Sequence, residues 1–149
     1  IMGADLYISS DIELLHKRLI PLFEGAVKER NKIEDKDSME YELASERVSG
    51  LYNELYPDTC YFRDPYNPSS VMWALGLSWW TDVIPMLDDE SNLSSEKAKE
   101  LFSMIEDRTI NLREDQETIG EEYFSERKEG LLKFLRQSVD RGEPVECSL

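Results

Sequence analysis

Residues 60–82 read CYFRDPYNPSSVMWALGLSWWTD, and their reading decides the fold. All three tryptophans lie here, and Pro65 to Thr81 carries no charged side chain, although the chain as a whole nets −15. An uncharged, ring-rich tract inside so acidic a sequence is expected to supply the centre of the core, since large aromatic side chains bury the most apolar area. It is also the natural wall of any pocket. It is too short and too rich in Pro, Asn and Ser to span a bilayer.

The flanks read as amphipathic helices. Upstream, Leu15, Leu19, Leu22, Phe23, Ala26 and Val27 recur at helical spacing after a Ser10–Glu13 capping box. Pro21 lies inside that stripe and is expected to kink or split the helix near 16–20. Asp37 with Glu40 signals a second cap, followed by Tyr41, Ala44, Val48, Leu51, Tyr52 and Leu55, with Pro57 as the stop. Within the central tract, Asn67-Pro68 is an N-cap and first-turn pair, Gly76 a breaker, and Ser78 the start of a short helix. Adjacent helical residues differ by about 100°, so one of Trp79 and Trp80 faces the core and the other faces out.

Downstream, Leu93-Ser94 with Ala98 forms a hydrophobic staple ahead of the stripe Ala98, Leu101, Phe102, Ile105. Residues 113–118 read as a charged loop or a solvated bridge. A last helix carries Ile119, Tyr123, Phe124, Leu131, Phe134, Leu135 and Val139, with Gly142 as its C-cap. The alternating 4–8 and the tail 144–149 are candidate strands that pair with each other. The expected fold is therefore mainly α: one domain over 1–149, a bundle of about five helices, with a small two-stranded element joining the termini. Ile1 before Met2 reads as an addition ahead of the natural start.

Charge and cysteine content narrow the function classes. Cut at residues 56 and 93, each third nets −5, with 7, 1 and 9 basic residues against 12, 6 and 14 acidic ones. So even a distribution is not an acidic tail. It disfavours direct nucleic acid binding and anionic membranes and favours a basic protein partner. Cys60 and Cys147 form no metal or disulfide spacing, and with no signal segment visible the expected location is cytoplasmic.

Catalytic signals are missing. His16 is the single histidine and lies beside Lys17 and Arg18, a surface pattern. Cys60 has Arg63 nearby but no evident base to form a thiolate. Asp88, Glu90, Asn92 and Glu96 imitate a calcium loop, yet Leu93 replaces its glycine and Lys99 its final glutamate. No phosphate loop, dinucleotide fingerprint, nucleophile elbow or zinc spacing occurs. No catalytic residue, metal ligand or cofactor is assigned.

The most unusual segment chemically is Tyr61 to Asn67, which gathers rings, a guanidinium, a carboxylate and an amide on what reads as an irregular stretch. Tyr61, Arg63, Asp64, Tyr66, Asn67, Trp79 and Trp80 are the candidate ligand- or partner-binding residues. The bland reading has Arg63 and Asp64 satisfying helix ends while Tyr61 and Phe62 anchor the loop. Met2 to Ile8 (MGADLYI), YFRDPYN at 61–67 and GLSWW at 76–80 together resemble a bacterial or phage protein family of similar length. That resemblance implies no activity, cofactor or site residue.

Two function classes follow. The first is a small acidic interaction protein of inhibitor, immunity or nucleic-acid-mimic type that covers a basic partner. The second is a small-molecule-binding domain or enzyme whose pocket is lined by Tyr61, Arg63, Tyr66, Trp79 and Trp80. A homo-oligomer using the aromatic segment as its interface is a third possibility.

Overall fold

The computed structural model describes residues 3–55 and 60–149, with side chains throughout except at 9–12. The chain is mainly α, with strands β1 (Gly3–Tyr7), β2 (Tyr61–Pro65), β3 (Asn92–Leu93) and β4 (Val145–Ser148). The α-helices are α1 (Ser9–Asn31), α2 (Met39–Leu55), α3 (Val71–Ala74), α4 (Ser95–Glu106) and α5 (Glu121–Arg141). Two compact units result: 3–9 with 60–149, and 10–55.

In the larger unit the strands form one antiparallel sheet in the order β2-β1-β4-β3. The pairing of the termini is present, with Leu6 opposite Cys147. The two-stranded element expected there is a four-stranded sheet, because 61–65, read as irregular, and the two-residue β3 join it. Period-two alternation sends Ala4, Leu6, Ile8, Phe62, Asp64, Leu93, Val145 and Cys147 to the buried face. There Phe62 meets Phe134 of α5, ring centroids 6.3 Å apart. Ala98, Leu101 and Ile105 of α4 and Phe124, Leu131 and Leu135 of α5 complete the helical layer.

The caps explain the element boundaries. Ser94 Oγ accepts from Lys97 N at 3.2 Å, and the staple pair Leu93 and Ala98 are both buried. Gly76 (φ +71°) and Gly142 (φ +66°) adopt the left-handed conformation that ends α3 and α5. At Gly76 the motif is complete: Gly76 N donates to Trp73 O and Leu77 N to Met72 O. The α3 cap is Ser70, not Asn67; Asn67 Oδ1 instead accepts from Ser69 N at 2.8 Å in an Asx turn. Ser78 caps a π-helical turn, Trp79–Val83, through Thr81 N.

The smaller unit is the hairpin of α1 and α2. Pro21 does not split α1, which runs unbroken from Ser9 to Asn31. Proline lacks the donor that would reach Lys17 O, and both residues lie on the exposed side, where water serves the carbonyl. The α2 cap is Ser38, whose Oγ accepts from Tyr41 N at 3.2 Å, while Asp37 N donates to Asp35. His16 is no surface residue: it is half-buried, with Nε2 2.9 Å from Leu55 O. Pro57 and the Ser10 side chain of the first capping box lie outside the described residues.

Candidate functional site

The ring-rich segment is organised on one carboxylate. Asp64 is fully buried and accepts from Ser70 Oγ (2.7 Å), Val71 N (2.9 Å), Met72 N (3.4 Å) and Trp79 Nε1 (2.7 Å). A buried charge survives only when so satisfied. Two of these donors are orphan amides at the start of α3, and the indole ties the π-helical turn to the same point. From the other side, buried Gln116 donates through Nε2 to Pro68 O (3.0 Å) and Ser70 O (3.1 Å) and accepts from Arg113 N (3.1 Å). The stretch 113–118 is thus neither a plain loop nor a solvated bridge. It holds a 3-10 turn, Glu114–Gln116, that clamps the segment.

The opposite sheet face carries a polar constellation. Antiparallel register places Asp5 opposite Arg63 and Tyr7 opposite Tyr61. Both Asp5 oxygens accept from Arg63 Nη1 at 2.8 Å, and the Tyr61 hydroxyl also donates to Asp5. A Cβ on Gly3 would lie 2.8 Å from Arg63 Nη2, so glycine leaves room for the guanidinium to fold back over β1. The hydrogen bond to Asp5 raises the Arg63 pKa above its ordinary value. Burial, then the Asp5 hydrogen bond, raises the Tyr61 phenol. Tyr7 meets Tyr61 edge to face at 5.1 Å.

The β2 edge is blunted. Ile8 N donates to Cys60 O at 3.0 Å, so alternation along this ladder turns the backbone groups of Tyr61, Arg63 and Pro65 away from β1. Arg127 of α5 donates to Arg63 O and stacks 4.3 Å over the Phe62 ring, and Pro65 has no N–H to offer. A groove of about 480 Å³ lies beside this edge, lined by Tyr61, Phe62, Arg127, Lys133 and Gln137 among others.

The seven candidate residues are therefore divided. Asp64 and Trp79 are sealed in the core. Tyr61 and Arg63 lie on the outer sheet face, bound to Asp5. Tyr66 and Trp80 form a tilted ring pair at 6.2 Å, Trp80 being 60% exposed, as expected for one of two neighbouring tryptophans. Burial raises the Tyr66 phenol, and the Trp80 indole opposes it. Asn67 is exposed in its turn. Of the five proposed pocket residues, Tyr61 alone lines the groove by β2.

Three contributors escaped sequence reasoning. Asp5 is one, although strand alternation already set it opposite Leu6. Gln116 and Arg127 are the others, both hidden in charged runs. Both cysteines are buried, and burial pushes the Cys147 thiol up to about 12. Asp88 Oδ1 accepts from Glu90 N and Asn92 N, both at 2.9 Å, and so organises the turn before β3. Among the described residues no group of three or more His, Cys, Asp or Glu side chains is placed to hold a metal ion. None of the described helices is long and apolar enough to cross a membrane.

Compared with protein-family models, with curated proteins and with solved structures, the chain matches nothing in any of the three.

Proposed function

We propose that this chain is a cytoplasmic, non-catalytic binding protein whose acidic surface covers a basic protein partner. The observation that carries this reading is the fate of the cations around the acidic stretch 106–129. Lys128 Nζ donates to Arg108 O at 2.6 Å, Arg127 to Arg63 O, and Arg113 stacks 5.0 Å over the Trp73 ring. Glu114, Asp115, Glu117, Glu121 and Glu122 remain exposed around the 3-10 turn and the first turn of α5. Of the four cations in this stretch, three are thus engaged with backbone and rings and Arg108 is exposed among the more numerous carboxylates, which leaves net negative potential here. Trp80 adds an exposed aromatic anchor of the kind that dominates interface energetics.

The alternative is a small-molecule pocket around 61–82. The division of its residues between core, sheet face and surface weighs against it.

The test is affinity capture from a lysate of the source organism across a salt series. Basic partners held at about 50 mM salt and lost by about 300 mM are expected, since screening shortens the reach of surface charge. The triple variant Glu114→Lys, Asp115→Lys, Glu117→Lys should abolish capture, whereas Arg63→Ala should leave it intact. Capture that survives the triple variant contradicts the proposal.

A further inference from the structure

The exposed side of the α1–α2 hairpin carries apolar side chains that the fold leaves uncovered: Leu14 (73% exposed), Leu22 (49%), Met39 (68%) and Leu43 (58%). On α1, residues 14, 18, 22 and 25 follow one another by three or four, and on α2 residues 39, 43, 46 and 50 do the same, so each set forms a stripe. All are exposed. Each stripe ends in a glycine inside the helix, Gly25 and Gly50, and a Cβ built at either meets nothing within 4 Å. Glycine is disfavoured in a helix interior relative to alanine, and no neighbour within the chain demands it at these positions. A second backbone approaching closely would.

The spacing names the occupant. Leu14 precedes Gly25 by the same number of residues as Met39 precedes Gly50, which is about 16 Å along a helix. The contacts of His16 with Leu55 O and of Phe23 with Tyr52 fix the level of the two antiparallel helices, with Gly25 and Gly50 within about a turn of each other. From that level Leu14 lies toward the open end of the hairpin and Met39 toward its tip. A two-fold axis through the glycine level therefore brings Met39 of one copy to Leu14 of another. It also carries Arg18, one turn in from Leu14, to the level of Leu43, which Glu42 and Glu46 flank. Stripe and charge are thus self-complementary, as a closed two-fold interface requires.

We propose that the exposed side of the hairpin is a homodimer interface in which α1 of one copy lies parallel to α2 of its partner, with Gly25 and Gly50 as the points of close approach. This goes beyond the binding role above and stands or falls separately from it.

Sedimentation equilibrium of the full chain tests it. Wild type should show twice the 17.4 kDa chain mass at tens of micromolar. Leu14→Glu and Leu43→Glu, both at exposed positions, should run at the single-chain mass with unchanged helicity. The Gly25→Ala, Gly50→Ala double variant should melt higher yet dissociate at tenfold or more higher concentration. Arg18→Glu should weaken the dimer, and adding Glu46→Arg in the same chain should restore it, a rescue that only a self-interface gives. Wild type at single-chain mass up to about 1 mM would overturn the proposal. So would Leu43→Glu at wild-type mass, or alanines at both glycines that raise the melting temperature without weakening association.

Discussion

At the scale of single residues, Asp64 determines most. Its two oxygens collect four donors in the core, so removal leaves an indole, a hydroxyl and helix-start amides without an acceptor. Asp64→Ala should cost about 3 kcal/mol or more, read as a lower urea midpoint at unchanged slope. By contrast Arg63→Ala breaks a pair whose side chains are 39% and 18% exposed, and is expected to cost about 1 kcal/mol or less. Cys147 gives a pH signature. Burial in the fold pushes its thiol from the ordinary value of 9.0 up to about 12. Between those values the unfolded chain holds fewer protons, so stability is full below about pH 9 and falls toward pH 12. Tyr61 is raised as well and adds loss in the same direction at higher pH. Urea midpoints from pH 8 to 11 should fall, and Cys147→Ala should flatten the fall. The role of Asp64 at a helix end agrees with the bland reading of its segment, although the cap it meets is Ser70 and not Asn67. That of Arg63 was not. Neighbours on a strand point to opposite faces, so once 61–65 is β2 the two cannot share a task, and Arg63 turns to Asp5.

Elements were legible where a cap marked them. Ser94, Ser78, Gly76 and Gly142 end or begin what they were read to, because each supplies a side-chain oxygen or a left-handed φ that few other residues supply. Ser94→Ala should cost about 1 kcal/mol, and Gly76→Ala about 1–2 kcal/mol for its positive φ, both measurable by thermal denaturation. Strands β2 and β3 stayed hidden for identifiable reasons. Pro65 inside YFRDP reads as a loop residue, and proline is tolerated here because it falls on an edge strand. Two residues, Asn92 and Leu93, give no alternation to detect. The caps at Ser38 and Ser70 differ from the expected Asp37 and Asn67 because Asx turns fill the preceding positions. Short polar side chains compete for the same amides, and spacing alone does not choose between them.

For the molecule as a whole, the distribution of charge and of rings is one fact. The middle third carries one basic residue and the three tryptophans, and within it Ser70, Val71, Met72 and Trp79 gather on Asp64 while Gln116 holds Pro68 and Ser70 and Trp80 stays exposed. In the same unit, the first turn of α5 and the 3-10 turn before it keep their carboxylates exposed, where the proposed partner meets them. The central claim is that residues 61–83 form the keel of the larger unit. Hydrogen exchange resolved by peptide fragment tests it most directly. The amides of Val71, Met72 and Leu77, buried and hydrogen-bonded to Asp64 or to the chain, should exchange as slowly as those around Leu131 and Leu135 in α5. Exchange across 61–83 at the rate of exposed loops, while α5 stays protected, would contradict the account.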